Sequence, residues 1–222
     1  MTDVIDLSVP VDRSTLGPPA AGSPPVAIET AFRGPGHWQS SRIAALLHTG
    51  SHVDAPLHVV ARGDDVEAMG LTRLAGDAVV VDLTAVGDRA AIDGALVADA
   101  AADLREGDIV VLRTDWSDRM WGRFPDYYTR SPYLTHDAAD WIAERRPRAV
   151  VFDFFEEECA VTPEFTSEDF VVHRSLLGRG IPLVEQATNI GAVGASRFTL
   201  WAPFVRLVGV EASPCRILAV RS

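Results

Sequence analysis

Three short aliphatic runs constrain this chain most: Ala78 to Leu83 (AVVVDL), Asp108 to Arg113 (DIVVLR) and Ala149 to Phe154 (AVVFDF). Their β-branched content suits strands that bury their side chains. Helical sequence lies between and after them. Ile92 to Leu104 is Ala-rich, and Thr135 caps a helix through Trp141 to Arg146 that Pro147 stops. A further helix opens at Ser167, runs through Leu177 and ends at Gly178 and Gly180, with Ile181 to Glu185 as a short strand after it. Strands dominate the flanks. Residues 3–10 alternate, Ser41 to Leu47 is apolar enough to be buried, and Phe204 to Val210 and Arg216 to Val220 flank a Ser213-Pro214 turn. This order predicts an α/β fold with a mixed sheet rather than a purely doubly wound one.

The 222 residues suit one domain, at about 100–200 residues each. The Pro/Gly/Ala-rich stretch from Gly17 to Pro25 reads as a surface loop, so residues 1–40 are a candidate N-terminal arm on a single domain spanning 1–222. The formal charge is −11, and all 20 cations are arginines. Without lysine, side-chain Schiff bases and the P-loop motif are excluded. The one dense basic stretch is Arg145, Arg146 and Arg148, beside Glu144, too little for a surface that tracks nucleic acid. Cys159 and Cys215 make no disulfide framework, which fits a reducing compartment. Residues Met1 to Asp6 carry no secretory features, and no apolar run approaches the ~18 residues of a membrane span. A soluble, cytoplasmic protein is expected.

Chemistry concentrates in residues 48–58, which hold three of the six histidines and Asp54: His48-Thr49-Gly50-Ser51-His52-Val53-Asp54-Ala55-Pro56-Leu57-His58. A helical HExxH face is ruled out, because Gly50 and Pro56 oppose a helix and no Glu follows His48. In extended chain, residues of equal parity share a face, so His52 and Asp54 would stand ~6.6 Å apart on one side. His48 and His58 would be ~33 Å apart if fully extended. The chain must therefore bend, and Gly50 and Pro56 allow it. Imidazoles with a carboxylate suit Zn²⁺, Mn²⁺ or Fe²⁺ better than Ca²⁺ or Mg²⁺. Elsewhere, His173 faces inward on its helix with Phe170, Leu176 and Leu177, as a core histidine also would. Glu185 ends an apolar strand, and read alone it favours solvent. The acidic run Asp153 to Glu158 reads as a solvated loop, although Asp153 lies where a strand's carboxyl end can reach a site. Trp116, Trp121, Phe155 and Trp201 are either core or pocket lining, and His136 reads as surface.

The 48–58 segment is similar to the HxGTHxDxPxH signature of the cyclase family of metal-dependent hydrolases, which includes bacterial kynurenine formamidase and isatin hydrolase. Ser51 in place of Thr is the one change. Arg113 to Asp118 (RTDWSD) resembles the family's RTGWSD strand end, with Asp115 at the usual glycine. His173 to Leu177, Leu183 to Gln186, and Phe204 to Arg216 resemble its later ligand region and closing turn. The resemblance implies a swivelling β/β/α-type fold and a homodimer or homotetramer. It implies that His48, His52 and Asp54 bind one divalent metal, Zn or Mn. Asp54 and Glu185 would bridge to a second, completed by His173, giving one or two per chain. His58 would transfer protons and not ligate. Metal-bound hydroxide would then attack a carbonyl of a small amide, formamide, imide or lactone, arylformamides included. Two alternatives stay open: a metal-dependent cyclase or dehydratase acting without net hydrolysis, and a non-catalytic metal-binding protein. Against the latter, structural zinc sites favour closed, Cys-rich ligand sets.

Overall fold

A computed structural model describes residues 3–19, 25–162 and 164–221. The expected loop from Gly17 to Pro25 thus lies partly outside the described residues, at positions 20–24. The strands are β1 (Asp3–Asp6), β2 (Ala27–Phe32), β3 (Gln39–Ala44), β4 (His52–Asp54), β5 (Ala75–Asp82), β6 (Ala91–Ile92), β7 (Ile109–Arg113), β8 (Tyr133–Leu134), β9 (Ala149–Phe152), β10 (Leu183–Glu185), β11 (Arg197–Trp201), β12 (Ala212–Pro214) and β13 (Leu218–Arg221). The α-helices are α1 (Gly94–Ala100), α2 (Trp116–Met120), α3 (Asp126–Thr129), α4 (His136–Glu144) and α5 (Val171–Leu177).

Nine strands form one mixed sheet in the order β1-β13-β11-β5-β7-β9-β10-β4-β12. Strands β5, β7, β9 and β10 run parallel, and the flanking pairs are antiparallel. The three aliphatic runs are therefore central strands. Their near-continuous apolarity has a cause: both faces are covered. Val110, Leu112, Val150 and Phe152 point to the side where α1, α4 and α5 pack, in a core with Val97, Ile142 and Leu176. Ile109, Val111, Ala149 and Val151 point to the other side, with Leu7, Val53, Leu200 and Ala219. The α/β architecture and mixed sheet agree with the expected swivelling β/β/α-type fold.

Several expectations are corrected. Ser41 to Leu47 is not a buried strand. Every residue of β3 is exposed, and β3 pairs only with β2 in a separate hairpin. Its apolar residues are real, but nothing among the described residues covers Ile43, 62 % exposed. Phe204 to Val210 is not a strand beyond a single bridge from Phe204 to Cys215, because the backbone turns where Leu207 N–H donates to Val205 C=O. Ser213-Pro214 is not a turn but part of edge strand β12, where proline's missing N–H is tolerated. The first strand stops at Asp6, and α1 spans only Gly94–Ala100. The Ser167–Leu177 helix is broken at Phe170. A 3₁₀ turn, Ser167–Asp169, closes under a Thr166/Asp169 capping box before α5 begins. Asp115 stands in the left-handed region at φ 57, the conformation glycine favours.

Candidate metal centre

Strand β4 lies between β10 and β12, and its register places His52 directly opposite Glu185. His52 and Asp54 share a face as parity requires. The bend at Gly50 is required by packing as well as by direction: φ is 74, and a Cβ there would meet Val11 Cγ2 at 2.3 Å. The turn brings His48 back to Asp54, and a 3₁₀ turn over Pro56–His58 brings His58 over the same point. His173 approaches from α5.

These side chains meet. Asp54 Oδ1 lies 3.0 Å from His48 Nδ1 and 3.4 Å from His52 Nε2. Asp54 Oδ2 lies 3.5 Å from His173 Nε2. Glu185 Oε2 is 3.6 Å from His52 Nε2, and its Oε1 is 3.1 Å from His173 Nε2. The His58 ring sits 4.2 Å from that of His48 and 5.2 Å from that of His173, centroid to centroid. His52, Asp54, His173 and Glu185 are all buried.

The imidazoles are oriented by hydrogen bonds on their far sides. His52 Nδ1–H donates to Gly50 C=O at 2.7 Å, which leaves Nε2 as a lone pair facing the carboxylates. His173 Nδ1–H donates to Glu157 at 2.8 Å, which turns its Nε2 toward Asp54 and Glu185. Glu157 also accepts the backbone N–H groups of Val172 and His173, which anchors it to the first turn of α5. His48 Nε2 faces Glu211 at 3.3 Å. Carboxylate or carbonyl partners behind ligating histidines are a regular feature of metal sites.

The donor set fits a divalent cation. His52 Nε2, both Asp54 oxygens and Glu185 Oε1 are buried without a hydrogen-bond partner, a costly arrangement unless something positive lies between them. The groups His52, Asp54 and Glu185 bring donor atoms within 4.8 Å of one another, as do His48, Asp54 and His58, and Glu156, His173 and Glu185.

Protonation follows the same logic. Burial disfavours charge on His48, but the Asp54 carboxylate overrides it and raises its pKa to about 10. His173 is likewise raised well above the ordinary imidazole range, burial being outweighed by Asp54, Glu157 and Glu185. Asp54 is held well below the carboxylate range despite complete burial, by His48, His52 and His173. Glu185 is lowered too: burial and Asp54 oppose its charge, and His52 and His173 prevail. In the metal-free centre, protons on His48 and His173 balance the carboxylates. His58 goes the other way. Burial, reinforced by His173 and His48 against the pull of Asp54, lowers it to about 4, so it is neutral at neutral pH.

The acidic run is the main correction at the site. Asp153, Glu156 and Glu157 are buried rather than solvated. Asp153 accepts from Thr114 and from the Asp115 N–H, while burial pushes it up to about 7. Glu156 is raised well above its usual value by burial and by neighbouring Glu185. The position of this run, just past the carboxyl end of β9, was the available signal, and it pointed to Asp153 only. Nothing local marked Glu211. Of the aromatic candidates, Phe155 lines a small cavity with Leu46, Phe170, His48, His58 and Glu185. Trp116 is core, Trp201 is half-exposed, and His136 is exposed on α4. Both cysteines are free. Among the described residues, no helix is long and apolar enough to cross a membrane.

The chain is similar to several known proteins. The Cyclase family model, described as "Putative cyclase", matches residues 5–158. A kynurenine formamidase from Erythrobacter litoralis is 28 % identical over 179 residues, covering 80 % of this chain and 74 % of that one. Isatin hydrolase A from Labrenzia aggregata superposes with a TM-score of 0.82 at 25 % identity, covering 99 % of this chain and 93 % of that one. A structure described as a potential metal-dependent hydrolase with cyclase activity gives 0.75 at 29 % identity, with both chains fully covered. These similar proteins are hydrolytic enzymes by name, and a family match over more than half of its length means that the chain belongs to the cyclase family.

Proposed function

We propose that this protein is a metal-dependent hydrolase of small aromatic amides, formamides, imides or lactones. The observation that carries the reading is the set of buried, unpartnered donor atoms on His52, Asp54 and Glu185, facing His48 and His173. His48, His52, Asp54, His173 and Glu185 would hold one or two divalent ions. A nitrogen and oxygen set without thiolate suits Zn²⁺ or Mn²⁺. When bound, such an ion supplies Lewis acidity and brings the pKa of water from 15.7 down to about 7.

The chain's own residues then have separate tasks. His58 is neutral at neutral pH and has no carboxylate fixing its ring, so it accepts a proton from the attacking water. It returns that proton to the departing nitrogen or oxygen. Glu157 and Gly50 C=O keep His173 and His52 in one tautomer. Leu46, Phe155 and Phe170 form apolar walls beside the histidines, which supports a flat aromatic group next to the scissile carbonyl. The names of the formamidase and isatin hydrolase relatives support the same substrate class.

A homo-oligomer belongs to this proposal. Among the described residues the β2–β3 hairpin contributes to neither buried core, and Phe32 and Ile43 on it are 68 % and 62 % exposed. Two-stranded hairpins are marginal alone in water.

The test is elemental analysis of wild type and His52→Ala, purified without chelators or affinity metal, followed by turnover of aryl formamides, isatin-like imides and lactones. Metal present in wild type, lost in the variant, with hydrolysis that follows metal content, supports the proposal. Wild type that takes up neither Zn nor Mn refutes it.

A further inference from the structure

The arginines singled out in the sequence, Arg146 and Arg148, are not part of the metal centre. They lie at the opposite end of the sheet. With Arg73 and Arg179 they line an open cavity of about 820 Å³ whose only acidic lining residue is Glu106. The cavity is formed by segments preceding the parallel strands β5, β7, β9 and β10, whereas Glu156, Glu157 and Glu185 lie at the carboxyl ends of β9 and β10.

We infer that this cavity binds a compact polyanion carrying a phosphate or pyrophosphate group. Three observations support the inference. First, the cations outnumber their partners. Arg148 donates only to the backbone carbonyls of Thr72 and Ala75, at 3.2 and 2.7 Å, which fixes its guanidinium without neutralising it. Arg73 has no acidic partner among the described residues. Arg146 meets Glu106 at 3.3 Å in a pair exposed on both sides, which an incoming anion displaces readily. Arg179 is tied to Asp140 at 2.7 Å. Four guanidinia over one cavity, in a chain of net charge −11, are an unusual concentration. Planar guanidinium forks match phosphate oxygens.

Second, Arg146 occupies an unfavourable position for its residue type. It follows the C-cap of α4 with φ 53, the place and conformation that glycine normally fills. An arginine there strains the backbone and places a cation at the rim. Third, among the described residues no aromatic side chain lines the cavity, so it offers a nucleobase no ring to stack on. The site therefore recognises phosphate rather than base.

Calorimetry with inorganic pyrophosphate at near-physiological salt tests this, with orthophosphate, ATP and adenosine as parallel titrants. Wild type binds pyrophosphate and ATP comparably and does not bind adenosine. Arg146→Gly weakens pyrophosphate by about tenfold, the loss of one charged hydrogen-bonding group, while the melting temperature stays level or rises because glycine relieves the left-handed residue. Arg73→Ala, at an exposed unpaired residue, weakens it as well and leaves the fold intact. No heat with millimolar pyrophosphate in wild type overturns the inference. So does adenosine binding on its own. A pyrophosphate signal unchanged in both variants places the anion elsewhere, the metal centre included, and also overturns it.

Discussion

Glu157→Gln separates a residue that orients a metal ligand from one that merely fills space. One oxygen of Glu157 accepts three N–H groups: Val172 N at 3.0 Å, His173 N at 2.9 Å and His173 Nδ1 at 2.8 Å. Glutamine keeps a carbonyl oxygen in that place, so the two backbone donors stay satisfied and α5 keeps its first turn. What it loses is charge. A hydrogen bond to a charged group contributes about 1.5–3 kcal/mol, and a neutral one about 0.5–1.5. The bond to the imidazole therefore weakens by roughly 1–1.5 kcal/mol, which is about tenfold in an equilibrium constant. Because that bond fixes the tautomer that presents Nε2, the loss falls on metal affinity, within the 10–100-fold known for partners behind ligating histidines. Competition for Zn²⁺ against a chromophoric chelator measures it, with circular dichroism and a thermal melt as controls. An affinity within about twofold of wild type, in a folded variant, would refute the reasoning, since Glu157 would then only cap the helix.

Five further outcomes are expected. His58→Ala keeps its metal by elemental analysis and loses about 10²–10⁴-fold in turnover; loss of metal instead would make His58 a ligand. Zn²⁺ affinity rises with pH between 6 and 8, because His48, raised to about 10, and His173, also raised, hold protons at neutral pH that the ion must displace. Calorimetry in buffers of different ionisation enthalpy should count about two protons released, and a pH-independent affinity contradicts the assignment. The same raised His48 makes the metal-free fold lose stability as pH climbs from 6.5 toward about 10, where its favourable proton is lost. Gly63→Ala lowers stability by about 1–3 kcal/mol and reduces turnover without removing metal, because its Cβ would sit 2.8 Å from the Pro56 carbonyl carbon beneath the His58 turn; unchanged melting and kinetics would show that the turn yields freely. Ile43→Asp and Phe32→Asp reduce the mass seen by light scattering to that of a monomer, and no change in mass rules out the hairpin as the contact.

The central strands were legible because their apolarity does not depend on partners: β5, β7 and β9 are covered on both faces and look so residue by residue. His52 and Asp54 were legible from parity, and Gly50 from the need to bend. Burial of the polar residues was not. Asp153, Glu156 and Glu157 form a charged run that any local rule sends to solvent; the partners that meet it are remote in sequence, Thr114 and Asp115 at Asp153, Glu185 and His173 at Glu156, and the first turn of α5 at Glu157. Strand β12 looked like a turn because Ser-Pro is locally a turn signal; pairing with β4 decides otherwise. The hairpin failed in the opposite sense. Its apolar residues suggested a core, and among the described residues no surface covers them.

The pairing of His48 with Glu211 spans 163 residues. Translation proceeds at about 5–20 residues per second. His48, His52 and Asp54 therefore emerge from the ribosome roughly 8–33 s before the last group that orients them. Until residue 183 is made β4 has neither neighbour, and β12 stays unmade through the whole interval because Ala212–Pro214 follow Glu211. A free ion encountered then meets a flexible segment with two imidazoles and a carboxylate, and no second carboxylate opposite. Selectivity for one ion over another cannot be exercised by so loose a grip. On the proposed function, the choice of ion would thus fall to the finished sheet rather than to the emerging chain.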